Sequence, residues 1–350
     1  MTQDSRLPDG PILLIRMDRI GDLVLTLPCD ASFGLRDDGS ARADWWVAPG
    51  LGFIADHASP RRRVREVKSK IGWNDFWALV KEVKRRQYAA AVIFHAPWWV
   101  SALTAFARIP LRIAVKSQWH TFIFANKGVR QKRSLAEFSE LEYNYRLVEQ
   151  GFGLDENSIE RETLKLSVSE AWSKATLARH GLAANEYSVV HPGMGGSARN
   201  WSATQYVAWL QEAAEQGPIV ITGTASDATY LDPIRQALGG AKNLFWLDGK
   251  ITGPELLQIL AHAKRVLAPS TGIAHLTASL ERPLIGIYSP VRVQHPRRWG
   301  PIGDTVQVLV PEVDCPGKKS CLGPQCSQYD CMSKISSETI RPLWSALDMT

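Results

Sequence analysis

Short apolar runs alternate with amphipathic stretches along the whole chain. In the first half, nearly continuous apolar runs fall at 11–16, 44–48, 64–68, 89–94 and 112–115. Apolar residues recur at helical spacing from about residue 22 and over 73–86, 100–107 and 135–150. Continuous apolar strands separated by helices are typical of a parallel sheet covered on both faces. The pattern therefore predicts a doubly wound α/β domain.

A second series of the same kind follows a polar, glycine-punctuated join at 151–170. It predicts strands at 187–191, 219–222, 244–247, 266–268 and 284–288, with helices at 203–215, 228–238, 254–262 and 272–280. We predict two Rossmann-like domains, over 1–160 and 161–335, facing a central cleft, followed by a helix in 336–350. Ligands of such sheets bind outside the carboxyl ends of the strands.

The stretch 88–107 is apolar over nearly the length that crosses a bilayer. His95 and Pro97 interrupt it, and we predict a strand (88–94), a loop and a helix (100–108). The N-terminus has no apolar core typical of a signal peptide, so we expect a cytoplasmic protein in which disulfides do not form.

Charge is distributed unevenly between the two halves. The net charge is +6 for the whole chain, with +7 in residues 1–150 and −1 in the remainder. Seven of the 13 tryptophans also lie by residue 119. Basic groups with aromatic residues suit an anionic glycolipid at a membrane surface, although a merely well-solvated basic surface gives the same composition. Nucleic acid is the rival anion, but we find no nucleic-acid-binding motif.

The first strand-to-helix turn carries a candidate base. It reads Met17-Asp18-Arg19-Ile20-Gly21-Asp22 and lacks the GxGxxG fingerprint of dinucleotide sites. Asp22 could simply favour the start of the helix, because carboxylates are stabilised there. Alternatively, it lies at the carboxyl end of a strand and acts as a general base.

Two later turns resemble phosphate sites. In 191–201, Gly195, Gly196 and Ser197 can bring N–H and hydroxyl donors to an anion, and Arg199 adds a fixed charge. An ordinary flexible turn has a similar composition.

In the second of these turns, Ser270, Thr271 and Gly272 open the helix predicted over 272–280. They could hold a diphosphate at its N-terminus or act only as a helix cap. His275, on the same helix, is either a buried core residue or a donor to the diphosphate. Asp227 follows another strand and could bind ribose hydroxyls or cap a helix.

Four of the five cysteines cluster near the C-terminus as Cys315-x5-Cys321-x4-Cys326-x4-Cys331. Their spacing is looser than the CxxC pairs of most zinc sites, yet four thiols so close in sequence can converge on one ion. A structural zinc or iron is one interpretation, and free or packed thiols are the other.

Four segments together resemble the heptosyltransferase family, the ADP-heptose:lipopolysaccharide type of glycosyltransferase family 9. They are ILLIRMDRIGDLVLTLP (12–28), HPGMGGSARNW (191–201), ITGTASD (221–227) and APSTGIAHLTASLERPLIGIYSP (268–290). The resemblance implies a two-domain GT-B fold whose C-terminal helix crosses back to the N-terminal domain. It also implies an inverting transfer that needs no metal cofactor, from a nucleotide-sugar to a lipopolysaccharide-type acceptor.

Site residues follow from the same resemblance. Asp22 matches the family's base, Arg199 its basic residue, and Thr271, Gly272 and His275 its third loop. The N-terminal domain would receive an anionic glycolipid. Because arginines bind anions, five arginines of this domain are candidates for acceptor contacts: Arg16, Arg19, Arg61, Arg62 and Arg63. The enzyme would then work as a peripheral protein at the cytoplasmic face of the inner membrane.

This sequence departs from familiar inner-core members in two places. Ser270 stands where those members carry Asp, and Arg199 where Lys is common. Serine cannot form the charge-assisted hydrogen bond of a carboxylate to a sugar hydroxyl. The alternatives are therefore another nucleotide-sugar, another glycan or a protein as acceptor, or a catalytically silent nucleotide-sugar-binding subunit.

Overall fold

The computed structural model describes residues 7–196 and 198–347, and its strands form two six-stranded parallel sheets. The strands of the first sheet are β1 (Ile12–Arg16), β2 (Ala43–Val47), β3 (Arg63–Glu66), β4 (Ala90–His95), β5 (Leu111–Val115) and β6 (Lys127–Val129). The helices of this part are α1 (Ile20–Val24), α2 (Gly52–Asp56), α3 (Trp73–Arg86), α4 (Trp98–Phe106), α5 (Trp119–Phe124) and α6 (Glu140–Phe152).

The second sheet repeats this plan. Its strands are β7 (Ser188–Val190), β8 (Ile219–Ile221), β9 (Leu244–Trp246), β10 (Val266–Pro269), β11 (Leu284–Ile287) and β12 (Val306–Leu309). The helices that follow α6 are α7 (Glu170–Arg179), α8 (Ala203–Glu215), α9 (Ala228–Leu238), α10 (Gly253–Ala261), α11 (Gly272–Ser279), α12 (Pro296–Trp299) and α13 (Ser337–Ala346).

Both sheets have the strand order of a doubly wound fold. The orders are β3-β2-β1-β4-β5-β6 and β12-β11-β10-β7-β8-β9. The chain divides into two compact units, the first running to Arg133 and including Glu140–Leu164, the second comprising Ser134–Ser139 and the chain from Lys165 onward. The α/β class and the paired doubly wound sheets predicted from the sequence are confirmed.

Hydrophobic burial explains why the central strands were predictable. All five side chains of β1 are buried, as are those of β10 and β11. The edge strands β6 and β12 were not predicted, because each is short and leaves most of its side chains at least partly exposed. Edge strands of this kind lack the continuous apolar run that identifies a central one.

The apolar stretch 88–107 forms β4 and α4, as predicted, with a break at Ala96 and Pro97. Across the described parts of the chain, no helix has both the length and the apolar composition that crossing a bilayer requires.

The C-terminal helix α13 packs on α8 of the second unit. The indole rings of Trp344 on α13 and Trp209 on α8 lie 5.4 Å apart, edge to face. Arg341 also donates to Glu212 on α8 at 2.8 Å. Ile340 and Trp344 are almost fully buried in the second unit's core. The described part of this helix therefore uses its apolar face within the second unit, and its crossing back to the N-terminal domain stays a prediction.

Candidate active site

Arg16 positions the candidate base. It is the last residue of β1, is only 3% exposed, and donates from Nε to Asp18 Oδ1 at 2.7 Å. Its Nη2 donates to Asp22 Oδ1, and its Nη1 lies 3.6 Å from Glu140 Oε1. One buried guanidinium therefore holds the Asp22 carboxylate in a fixed direction at the carboxyl end of the strand.

The simple helix-cap interpretation of Asp22 does not describe these contacts. Asp22 lies in the first turn of α1, but the helix has no side-chain cap hydrogen bond. Instead, the Asp22 carbonyl accepts from Thr26 Oγ1 at 2.6 Å, and Asn144 Nδ2 donates to Thr26 Oγ1 at 3.0 Å. Helix α6 thus contacts the backbone of Asp22 through Thr26, while the Asp22 carboxylate accepts from Arg16.

Burial raises the pKa of Asp22 to about 6. The Arg16 charge opposes this shift, and the neighbouring Asp18 and Glu140 carboxylates reinforce it. A carboxylate with a raised pKa is a stronger proton acceptor than an exposed one, while it stays ionised at neutral pH. The electrostatics therefore suit a general base.

The predicted acceptor-side arginines divide into two groups. Arg62 is 7% exposed, and its Nε and Nη2 donate to the two Asp30 oxygens at 2.6 and 2.8 Å. These donors are used in a buried ion pair, which makes Arg62 less available to an acceptor, and its acceptor contact stays a prediction. Arg16 is likewise buried, and it donates to the Asp22 carboxylate. Arg19, Arg61 and Arg63 are exposed.

His95 lies beside this carboxylate site, although the sequence pattern predicted only the start of a loop there. It ends β4 directly opposite Arg16, its carbonyl accepts from the Met17 N–H at 2.9 Å, and its side chain is exposed. The sequence signal for His95 as a candidate site residue is a polar residue at the carboxyl end of an otherwise buried strand.

The loop after β7 carries the first predicted phosphate donors. Gly195 and Gly196 are exposed, with φ of +58° and +70°, a conformation that favours glycine. Ser197 lies outside the described residues. Arg199 is partly buried, its Nε has no hydrogen-bond partner in the described structure, and its guanidinium lies 5.4 Å from the Tyr329 ring centroid.

The loop after β10 presents an open helix N-terminus. Thr271 is the N-cap of α11, yet no side chain caps this helix. The Thr271 Oγ1 is buried without a hydrogen-bond partner in the described structure. Ser270, Thr271 and Gly272 are each partly exposed. Uncapped N–H groups and a free hydroxyl are what a bound phosphate would satisfy.

His275 and Asp227 are less available than the loop residues. His275 is 5% exposed, and burial lowers its pKa to about 4, so it is a neutral imidazole at physiological pH. Asp227 is 4% exposed, and its Oδ2 accepts from the N–H and hydroxyl of Thr224 at 2.9 and 2.7 Å. This is the capping alternative for Asp227, and its contact with ribose stays a prediction.

The topology explains why these loops were the informative ones. Each strand order reverses once, between β1 and β4 in the first sheet and between β7 and β10 in the second. Loops at such a reversal diverge and leave a crevice at the carboxyl ends of the strands. Asp22 follows β1, and His95 is the last residue of β4. In the second sheet, Arg199 follows β7 and Thr271 follows β10.

Two doubly wound units, one with the Arg16–Asp22 pair at the end of β1 and the other with open loops after β7 and β10, have the architecture of sugar-transferring enzymes of the GT-B class. The chain belongs to glycosyltransferase family 9 (heptosyltransferase), whose family model matches residues 76–327. It is therefore a glycosyltransferase of the heptosyltransferase type, as the sequence resemblance predicted.

Individual relatives agree with the family assignment. A putative glycosyltransferase of Haemophilus influenzae is 27% identical over 95% of this chain and 97% of its own. Lipooligosaccharide heptosyltransferase 2 of the same organism is 27% identical over 33% of each chain. The structure of E. coli ADP-heptose lps heptosyltransferase II superposes with a TM-score of 0.78 at 18% identity, covering 97% of this chain and 98% of that one. E. coli heptosyltransferase WaaC with ADP gives 0.67 at 19%, covering 96% and 99%. The predicted GT-B fold is confirmed.

Proposed function

We propose that this enzyme transfers a heptose from ADP-heptose to a lipopolysaccharide-type acceptor, with inversion at the anomeric carbon. The observation that carries the proposal is the Arg16–Asp22 pair at the end of β1, because it supplies an oriented carboxylate with a raised pKa. The donor assignment is supported by the relatives, one of which is described with ADP and another as an ADP-heptose enzyme.

In the proposed mechanism, Asp22 takes the proton of an acceptor hydroxyl as that oxygen attacks the anomeric carbon. The bond to the departing diphosphate breaks on the opposite face, which inverts the configuration. Arg199 and the N–H groups at the start of α11 stabilise the charge that develops on the diphosphate. Fixed protein charges and dipoles would perform this role without a catalytic metal ion.

A calorimetric panel of ADP-heptose, ADP, UDP, GDP and their common sugar conjugates tests the donor. We expect ADP and ADP-heptose to bind selectively. Preference for UDP or GDP conjugates would contradict the heptose assignment, for which Ser270 is the residue to examine, because it lacks the carboxylate found in familiar members. Absence of binding to every nucleotide would contradict the donor role of both loops.

The first unit also presents an exposed aromatic surface, which we define as seven residues on α3, α4 and α5. It contains seven of the 13 large hydrophobic side chains exposed in the described structure: Trp73, Trp77, Trp98, Phe106, Trp119, Phe122 and Ile123. Trp98 and Trp119 lie 6.1 Å apart, and Lys116 lies 5.8 Å from the Phe122 ring centroid.

Aromatic rings beside basic groups are typical of the interface of an anionic membrane. We propose that this surface brings the enzyme to the cytoplasmic face of the inner membrane, where the glycolipid acceptor would be presented.

Flotation with anionic liposomes tests the membrane proposal. We expect binding at low salt that weakens at high salt, and a severalfold lower bound fraction for the double variant Trp98→Ser, Trp119→Ser. Both side chains are more than half exposed, so the fold should tolerate the change. Trp172→Ser on α7 of the second unit is the matched control. Binding that is equally strong in the double variant, or absent in the wild type, would contradict the assignment.

A further inference from the structure

The segment 312–334 has little regular structure to hold it in place. It connects β12 to α13 and contains two short 3-10 turns, Gly323–Gln325 and Cys331–Lys334, as its regular elements. Two of its large apolar side chains, Leu322 and Tyr329, are 50% and 48% exposed. A connection of this length inside a compact unit needs some other source of order. Four of the chain's five cysteines lie in it.

The four cysteines surround one small cavity. Cys315, Cys321, Cys326 and Cys331 all line it, together with Arg199 of the loop after β7. Its volume is about 10 Å³, which corresponds to the space of one water-sized sphere. A single metal ion fits in a space of this size. The segment therefore brings four cysteines that are spread along the chain to the wall of one cavity.

Backbone donors already point at two of the sulfurs. The Gly323 N–H donates to Cys321 Sγ and the Gln328 N–H donates to Cys326 Sγ, each at 3.4 Å. Both bonds join a sulfur to the N–H two residues further on. Such N–H···S bonds stabilise negative charge on sulfur, and they surround metal-bound thiolates in proteins. A free thiol gains little from them.

We propose that Cys315, Cys321, Cys326 and Cys331 bind one Zn²⁺ or Fe²⁺ ion, which ties segment 312–334 to the loop that carries Arg199. On binding, the four thiols release four protons and form four metal–sulfur bonds, giving a centre of charge −2. Four thiolates in tetrahedral geometry are the ligand set that these two ions share. In the described residues, no group of three or more His, Cys, Asp or Glu side chains has the spacing of a preformed site. The cysteine side chains must therefore rotate inward as the ion binds.

Two hydrogen bonds hold the C-terminal end of this segment near the loop after β7. The Trp201 indole of that loop donates to the carbonyl of Ile335, the residue after the segment, at 2.9 Å, and Gln205 Nε2 on α8 donates to the Met332 carbonyl at 3.0 Å. Arg199, whose Nε is buried without a partner, lines the cavity itself and would face the negative metal centre. Metal binding should thus fix the direction of Arg199. The metal site does not depend on the proposed function, but this consequence for the donor does.

Metal analysis of protein purified without chelator tests the site. We expect about one zinc or iron ion per chain, lost in the double variant Cys321→Ser, Cys326→Ser and retained in Cys29→Ala, which removes the fifth cysteine, in the first unit. Cys326→His should keep zinc, because imidazole is also a zinc ligand. Retention of the metal by the double variant would overturn the assignment.

A second measurement keeps the proposal testable if the variants do not fold. Cobalt(II) added to reduced, metal-free wild type should produce the visible absorption of a tetrahedral thiolate site. The partly exposed thiols of Cys315, Cys321 and Cys326 should react with a thiol reagent in the metal-free protein and be protected when the metal is bound, whereas the buried Cys29 should be unreactive in both. Absence of both the native metal and the cobalt spectrum, or recovery of two disulfides, would overturn the site.

The link to the donor has its own readout. Removing the metal should weaken ADP binding about tenfold, a typical size for coupling between two sites, and restoring zinc should reverse the loss. If the metal is present but its removal leaves ADP affinity unchanged, the link between the two sites would be overturned, whereas the metal site itself would stand. Absence of ADP binding in the metal-loaded wild type would instead count against the proposed donor function.

Discussion

Asp22→Asn should lower kcat for sugar transfer by about 10²- to 10⁴-fold, the usual contribution of a general base. Asparagine has nearly the same shape as aspartate and can still accept a hydrogen bond from Arg16, but it cannot take a proton at neutral pH. In the proposed mechanism Asp22 acts on the acceptor hydroxyl and not on the nucleotide, so ADP affinity should be unchanged. Turnover would be followed with ADP-heptose and an isolated acceptor.

The pH dependence provides an independent test of the same residue. The base must be ionised, and burial raises the pKa of Asp22 to about 6. In the wild type, kcat/KM should therefore be level above this pH and fall about tenfold per unit below it. The residual activity of Asp22→Asn should lack this acidic limb. Wild-type turnover in Asp22→Asn, or an unchanged acidic limb, would contradict the assignment of the base.

Arg199→Ala should lower kcat by about 10²- to 10³-fold, because the diphosphate leaves with developing negative charge that this guanidinium would stabilise. ADP binding should also weaken, which distinguishes this variant from Asp22→Asn. Arg199→Lys should recover part of the activity, since lysine keeps the charge but loses the planar fork of donors.

The same arginine lines the cysteine cavity, so its variants need a second measurement. Metal content should be determined alongside ADP affinity for Arg199→Ala. If the metal is retained while turnover falls, the loss belongs to the diphosphate contact. Full turnover in Arg199→Ala would refute its role in the reaction, whatever the metal content.

Local sequence determined most of the elements. Strands such as β1, β4 and β10 were predictable because a strand buried on both faces must be apolar at nearly every position. The loops that follow β1, β7 and β10 were also recognisable as candidates, because their glycine, hydroxyl and charged residues lie at the carboxyl ends of buried strands, where ligands of such sheets bind. The family resemblance rests on these same segments.

Only the tertiary structure decided what several of these side chains do. Arg16 and Arg62 look alike in the sequence, yet the first holds Asp22 and the second is consumed by Asp30. The raised pKa of Asp22 depends on burial and on Glu140, which is distant in sequence. The cysteines converge on the cavity that Arg199 also lines because separate loops meet there. The sequence by itself therefore determined the fold class, the family and the candidate loops, since these depend on local pattern. Partner choice and electrostatics were decided by long-range packing, because they depend on which distant groups the fold brings together.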